Sequence, residues 1–170
     1  MSVRAAKFVD IPRLVELGAE AHKRSIYAKR ATFDIELAKQ LCARSIQRHA
    51  QQNYGGTLVL VSETDGELCG FIIALVDLVY PCLSEFVVTD LVFTFTYNAD
   101  PRDAATMVKR VTFWAEANPK VIEVHLGVTD AIGSGWHRVG RLYERLGFEQ
   151  CGAMYRKLIQ REETTAEAGA

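Results

Sequence analysis

Residues 140–149 read Gly140-Arg141-Leu142-Tyr143-Glu144-Arg145-Leu146-Gly147-Phe148-Glu149. Leu142 and Leu146 stand one helical turn apart, which predicts a short helix with one apolar face. Gly147 is predicted to end this helix, because glycine readily adopts the left-handed conformation found at helix ends, and Phe148 then begins a strand. Tyr143 therefore lies near the end of a helix, where its hydroxyl can reach a ligand.

The rest of the chain alternates between helical and strand patterns, with turn and cap signals between them. Asp10 is predicted to cap the first helix and Thr32 or Asp34 the second, while the Asp-Gly pair at residues 65–66 predicts a tight hairpin. Residues 161–170 lack apolar anchors and are predicted to be a disordered tail. The predicted strands cover residues 3–6, 57–63, 68–77, 85–96, 121–128, 148–151 and 154–159, and the predicted helices begin at Asp10, near residue 34, at Pro101 and before Tyr143.

This order of elements, together with GFI at 70–72, DLVF at 90–93 and LYERLGF at 142–148, resembles the GCN5-related N-acetyltransferase (GNAT) superfamily. The resemblance implies one α/β (α+β) domain over residues 1–160. Its central sheet would be mixed and mostly antiparallel, with about seven strands flanked by about four helices. Its parallel fourth and fifth strands would splay apart. The N-terminus and the stretch DPRDA at 100–104 also resemble divergent phage or prophage members of that superfamily.

The resemblance implies a reaction as well, the direct transfer of an acetyl group from acetyl-CoA to a primary amine of a small molecule or a peptide. In that superfamily the tyrosine at the position of Tyr143 protonates the departing thiolate, a role that suits a phenol. Asp90, or Glu85 nearer the start of the same strand, would accept the amine proton, and His125 on the fifth strand is a further candidate base. Each residue also has a structural interpretation: a tyrosine packed against the sheet, an exposed or paired carboxylate, a structural histidine.

The cofactor-binding residues that the resemblance implies lie in and after the fourth strand. Main-chain groups of Phe93, Thr94 and Phe95 would hold the pantetheine arm of acetyl-CoA. The loop into the third helix would bind the pyrophosphate through backbone amides. The loop residues assigned to this role are Asn98, Arg102, Ala104 and Ala105.

That loop departs from the superfamily's pattern Arg/Gln-x-x-Gly-x-Gly/Ala. Neither alignment, with NADPRD at 98–103 or RDAATM at 102–107, places a glycine in it. Asp100 and Asp103 put negative charge where a pyrophosphate would bind, and Pro101 removes a donor. The same residues form a good helix start without any ligand. Two functions therefore stay open, an acetyl-CoA-dependent N-acetyltransferase and a catalytically degenerate binding or assembly module that binds CoA weakly or not at all.

Composition narrows the classes of function and partner that the chain can have. Apolar residues make up 49% and charged residues 24%, a balance typical of a folded globular domain. A formal net charge of −1 offers no general attraction for nucleic acid or anionic membranes, and no apolar run is long enough to span a bilayer. We therefore expect a cytoplasmic protein without nucleic-acid or membrane partners. Exposed strand edges add the expectation of a homodimer.

Two further features concern cysteines and basic residues. The four cysteines are widely spaced, which predicts buried reduced thiols rather than a zinc site. The basic stretch at residues 22–30 corresponds to a region that contacts the acceptor in the superfamily, which implies an acidic acceptor. A solvated basic surface is the alternative.

Overall fold

The computed structural model describes residues 3–132 and 135–159 of the chain. Four α-helices, five strands and two single-turn 3₁₀ helices, Phe8–Asp10 and Asp130–Ile132, make up this part. The α-helices are α1 (Ile11–Arg24), α2 (Ile35–Gln47), α3 (Pro101–Glu116) and α4 (Trp136–Arg145). The strands are β1 (Val3–Ala5), β2 (Thr57–Thr64), β3 (Glu67–Leu78), β4 (Phe86–Phe95) and β5 (Val121–His125).

One sheet contains all five strands, in the order β1-β2-β3-β4-β5. The first four strands pair antiparallel, and β4 and β5 pair in parallel across the α3 connection. The predicted hairpin joins β2 and β3, with Asp65 at φ 51° and Gly66 at φ 83°, the two positive values that a type I′ turn needs. The mixed, mostly antiparallel sheet confirms the predicted architecture.

The pairing between β4 and β5 stops halfway along β4. Its last paired residues are Thr89 of β4 and His125 of β5, whereas β4 continues to Phe95. A bulge follows directly, because the pairing of β4 with β3 skips Leu91. A bulge bends a strand and increases its twist. Residues 90–95 of β4 have no pairing with β5, and the space beside this unpaired edge is called the cleft.

Two apolar layers cover the two faces of the sheet. α3 packs on one face through Met107, Val111 and Trp114. α1 and α2 pack on the other face through side chains that include Leu14 and Ile46. β3 lies between the layers and contributes to both, as its continuous apolar sequence predicts.

The two predicted acidic caps have different outcomes. Asp34 caps α2, since its carboxylate accepts a hydrogen bond from the amide of Leu37. The prediction that Asp10 caps α1 is wrong, because its carboxylate accepts no hydrogen bond from the first amides of α1. It accepts hydrogen bonds from the Arg4 guanidinium and the Lys7 amide instead, and the Arg4 bonds in particular lower the pKa of Asp10. A guanidinium on β1 is a stronger partner for this buried carboxylate than a helix amide.

The two C-terminal strands predicted at residues 148–151 and 154–159 are also wrong. The chain there has no regular secondary structure, and its side chains are mostly exposed, including Tyr155 at 94%. A strand needs a neighbouring strand edge to bond with its backbone, and local sequence cannot provide one. The described sheet therefore has five strands rather than about seven. The tail predicted at 161–170 lies outside the described residues.

The four cysteines are free thiols that divide by exposure. Cys42 and Cys69 are buried, as predicted, whereas Cys82 and Cys151 are exposed. Cys82 lies in the loop between β3 and β4, and Cys151 follows α4. No core layer covers either position, so the prediction of buried thiols is wrong for these two.

Candidate active site

The divergence of β4 from β5 brings Asp90 close to Tyr143. Asp90 is the first residue of β4 beyond the pairing with β5, and Tyr143 lies on α4. Burial, and secondly the nearby charge of Asp90, raises the pKa of the Tyr143 phenol well above its usual range. The structure thus brings together two of the four side chains that the sequence analysis considers for catalysis.

The end of α4 determines where Tyr143 lies. Gly147 has φ 87°, its amide donates to the carbonyl of Glu144, and the amide of Phe148 donates to the carbonyl of Tyr143. This pair of bonds is a Schellman motif. The ring of Phe148 then packs on the ring of Tyr143, with centroids 5.6 Å apart. The predicted glycine stop therefore also orients the tyrosine.

The hydroxyl of Tyr143 has no hydrogen-bond partner among the described residues, although the side chain is only 6% exposed. Leaving a buried hydroxyl unpaired costs about 1–3 kcal/mol, and few native groups are left so. The phenol is protonated at neutral pH, and its raised pKa keeps it so, so the group can donate a hydrogen bond. A buried donor without a partner among the described residues is suited to a ligand.

Asp90 connects the two diverging strands. Its carboxylate accepts a hydrogen bond of 2.6 Å from the amide of Gly127, two residues beyond the end of β5. Burial raises the pKa of the Asp90 carboxyl above its usual value, while the Gly127 bond opposes the change. A carboxylate with a raised pKa is a stronger base at neutral pH.

Glu85 and His125, the other candidate bases, lie apart from this pair. Five residues of chain separate Glu85 from Asp90, about 16 Å along an extended strand. His125 is half-exposed and bonds to Glu123 on its own strand. Neither Glu85 nor His125 is among the groups that shift the pKa of Asp90 or Tyr143.

Phe93, Thr94 and Phe95 belong to the part of β4, residues 90–95, that has no partner on β5. Thr94 is buried, and the rings of Phe93 and Phe95 meet edge to face at 5.3 Å and pack against the α3 layer. The backbone edge of this half-strand is therefore what faces the cleft. Gly70 on β3 allows the close approach of Phe95, because a Cβ there would lie 2.2 Å from the Phe95 ring.

The loop between β4 and α3 is organised around Asp100. The Asp100 carboxylate accepts hydrogen bonds from the backbone amide of Arg102, at 2.9 Å, and from its guanidinium, at 2.8 Å. These bonds lower the pKa of Asp100 and raise the pKa of Arg102. Pro101 has no amide hydrogen, and the amide of Asp103 donates to the carbonyl of Asp100. The first three positions of α3 therefore offer no free amide to a phosphate.

The remaining loop residues have mixed environments. Asn98 is exposed, and Ala104 and Ala105 are half-buried in the first turns of α3. Asp103 is 3% exposed and accepts a hydrogen bond from the hydroxyl of Ser62 on β2. The charge of Asp103 therefore points into the protein, and the expectation that it would confront a bound pyrophosphate is wrong.

A cavity of about 170 Å³ lies between α2 and the sheet. Leu41, Leu75 and Leu91 form apolar walls, and Arg44 and Arg48 supply positive charge. Leu91 is the bulge residue next to Asp90 in β4.

Sequence reasoning missed three contributors to the site. The Gly127 amide is a backbone group without a side-chain signal, and the bulge at Leu91 depends on pairing with β3. The third contributor is Arg24, whose guanidinium donates to the carbonyl of Phe95 at 3.3 Å. Its only sequence signal was membership of the basic stretch at 22–30.

No family model matches the sequence, and no curated protein matches it. Solved structures do match its fold. A ribosomal-protein-alanine N-acetyltransferase from Brucella melitensis is similar with a TM-score of 0.65 and 22% identity, over 89% of this chain and 86% of that chain. A glucosamine-6-phosphate N-acetyltransferase from Arabidopsis thaliana is similar with a TM-score of 0.64 and 10% identity, over 93% and 97%. A transcriptional regulator from Bacillus halodurans C-125 is similar with a TM-score of 0.63 and 15% identity, over 92% and 98%.

These likenesses show that the chain has a GNAT-like fold, which confirms the fold that the Tyr143 segment and the order of elements predict. Identities of this size establish the fold alone, and one fold can serve several functions. Within residues 3–132 and 135–159, no helix has the length and apolar character needed to cross a membrane.

Proposed function

We propose that the chain is an N-acetyltransferase that transfers an acetyl group from acetyl-CoA to a primary amine. The observation that carries this proposal is the Tyr143 hydroxyl, which is buried near Asp90, where the pairing of β4 with β5 ends, and has no partner among the residues that the structure describes. The fold supports it, because solved structures of this fold include proteins named as N-acetyltransferases.

Asp90 and Tyr143 have complementary roles in this mechanism. The amine nitrogen attacks the thioester carbonyl, and a C–N bond forms as the C–S bond breaks. Asp90 accepts the proton that the amine loses, and Tyr143 donates its proton to the departing sulfur. The raised pKa of Asp90 suits its task, since it makes the carboxylate a stronger base. The Tyr143 phenol is protonated at neutral pH, and its proton goes to the sulfur as negative charge develops there. Proton exchange with water restores the two groups.

The chain suits the pantetheine arm of acetyl-CoA better than it suits the pyrophosphate. The free edge of β4 at residues 93–95 supports binding of an extended pantetheine arm, because backbone amides and carbonyls on that edge have no β5 partner. The start of α3 does not suit the pyrophosphate in the way the superfamily pattern implies, since its first positions offer no free amide.

The acceptor is a primary amine of a small molecule or a peptide. The cavity beside Leu91 supports an acceptor with an acidic group, because Arg44 and Arg48 line it and no carboxylate does. Its three leucine walls favour an apolar portion beside that group.

A second function, a non-catalytic binding or assembly module, is favoured by the self-contained start of α3. Asp100 occupies both the amide and the guanidinium of Arg102. A helix start that satisfies its own donors needs no anion.

Calorimetric titration of acetyl-CoA into the purified protein, with CoA as comparison, tests the proposal. Micromolar binding is the expected result. A screen of amines for release of free CoA thiol then follows, with Tyr143→Phe as the inactive control. Absence of binding at millimolar concentration would overturn the proposal and favour the binding module, and protein partners would become the object of the search.

A further inference from the structure

Arg24 is a cation that has no carboxylate partner in the described part of the chain and lies at the end of the cleft. It is the last residue of α1 and is exposed. Its guanidinium donates one long hydrogen bond of 3.3 Å, to the carbonyl of Phe95. No ion pair of Arg24 occurs within the described part of the chain.

The position of Arg24 coincides with the phosphate end of the cleft. Phe95 is the last residue of β4, and α3 begins at Pro101. A ligand that extends along the free edge of β4 away from Asp90 therefore reaches the Phe95 carbonyl just before it reaches this loop.

The loop itself supplies little for an anion. Pro101 lacks an amide hydrogen, the Arg102 amide is bonded to the Asp100 side chain, and Arg102 is neutralised by the same carboxylate. Asp103 is buried against β2. An anionic group at this end must find its positive charge outside the loop. Arg24 contacts β4 there with a guanidinium that forms no ion pair with any residue the structure describes.

We propose that Arg24 binds the phosphate groups of the CoA substrate and replaces the missing glycine-loop amides. The inference rests on the proposed function, whose pantetheine site it extends. A guanidinium binds phosphate through two parallel charge-assisted hydrogen bonds, each stronger than a bond to a neutral carbonyl. Rotation of Arg24 from Phe95 toward a phosphate also frees the Phe95 carbonyl to accept a pantetheine amide.

The test compares CoA with pantetheine, which lacks the phosphates, by calorimetry on the full chain. Arg24→Gln is expected to weaken CoA binding about tenfold or more while pantetheine affinity stays within about twofold or improves slightly. Arg24→Lys should retain part of the CoA affinity, because lysine keeps the positive charge but lacks the paired N–H donors of the guanidinium. Lys23→Gln is the matched control, since it removes an exposed neighbouring charge and should change neither affinity by more than about twofold.

The outcomes separate this inference from the proposed function. Unchanged CoA affinity in Arg24→Gln overturns the role of Arg24 and leaves the acetyltransferase proposal intact. Equal losses for CoA and pantetheine, or an equal loss in Lys23→Gln, also overturn it, because the effect would not be specific to a phosphate contact by Arg24. Failure of the unaltered protein to bind CoA overturns both. Thermal unfolding of each variant shows whether a loss reflects misfolding.

Discussion

The hydroxyl of Tyr143 is buried without a partner among the described residues, whereas most buried hydroxyls in proteins are paired. A tyrosine that only fills the core gains nothing from such a hydroxyl. In the proposed reaction the sulfur of the substrate supplies the missing partner. Stability and activity should therefore respond to its removal in opposite directions.

Tyr143→Phe should leave the free energy of unfolding unchanged or raise it by up to about 1 kcal/mol, since an unpaired buried polar group is removed and the ring is kept. The same change should lower kcat about 10²- to 10⁴-fold if the phenol is the proton donor. Urea denaturation and steady-state kinetics measure the two effects.

Tyr97→Phe is the matched control for this substitution, because Tyr97 is fully exposed and its hydroxyl meets water. It should change neither quantity. A clear loss of stability in Tyr143→Phe would mean that the hydroxyl has a structural partner, and unchanged kcat would remove Tyr143 from the mechanism.

The raised pKa of Asp90 makes its effect on stability dependent on pH. The folded state holds the Asp90 proton more tightly than the unfolded chain does. The stabilisation that the protonated group provides is present below the unfolded pKa, near 3.8, and is lost as pH rises through the folded pKa.

Asp90→Asn should therefore be more stable than the unaltered protein at pH 7, and this difference should shrink as pH falls toward 4. The amide oxygen can still accept the Gly127 bond, which keeps the geometry. Urea denaturation across this pH range measures the difference. A constant difference at all pH values would show that ionisation of Asp90 is not its cause.

At the scale of the element, α4 carries two glycines with opposite requirements. Gly147 follows the helix with φ 87°, which a residue with a Cβ rarely adopts. Gly140 lies inside α4, and a Cβ added there meets nothing within 4 Å. One helix thus contains both the test position and its control.

Gly147→Ala should destabilise the protein by about 1–2 kcal/mol, because alanine is strained in the left-handed region. Gly140→Ala should stabilise it by about 0.5–1 kcal/mol, because alanine loses less backbone freedom in a helix. Thermal and urea unfolding measure both. Equal effects of the two substitutions would contradict the Schellman stop at Gly147 as the feature that positions Tyr143.

The start of α3 provides a second test at this scale. Asp100→Asn should keep the helix cap, since asparagine caps as well as aspartate, and should increase CoA affinity several-fold by removing a negative charge beside the phosphates. Asp100→Ala should lower the unfolding temperature because the cap is lost. Calorimetry and thermal unfolding measure these effects. Unchanged CoA affinity in Asp100→Asn would show that phosphates do not approach α3.

At the scale of the whole molecule, the sheet separates two apolar layers. Val15 on α1 belongs to one layer and Val111 on α3 to the other, and both are buried. Each layer should therefore respond to truncation without repacking of the opposite one.

Val15→Ala and Val111→Ala should each cost about 1.5–3 kcal/mol of unfolding free energy, from lost burial and the cavity left behind. The double variant should lose the sum of the two within about 0.5 kcal/mol, since the sites share no contacts. A double-mutant cycle by urea denaturation measures the coupling. A coupling above about 1 kcal/mol would mean that the sheet transmits repacking between its faces.

Local patterns predicted the elements well where the cause is local. Gly147 ends α4, Asp34 caps α2, and the Asp65-Gly66 pair makes the hairpin, since each effect needs only neighbouring backbone. Local patterns gave wrong predictions where a residue distant in the chain determines the structure. Asp10 pairs with Arg4 rather than capping α1, and residues 148–159 form no described strand.

In the candidate site, too, local features were predictable from sequence and contacts between distant residues were not. The sequence by itself determined most of the helices and strands and the place of Tyr143 near a helix end, because periodicity and glycine conformation are properties of adjacent residues. Its resemblance to the GNAT superfamily implied the fold. Only the tertiary structure decided that Asp90 lies near Tyr143, that Asp103 points inward to Ser62, and that Arg24 reaches Phe95. Those relations depend on where β4 bulges and how the helices pack on the sheet. They join residues far apart in the chain, and no local pattern encodes them.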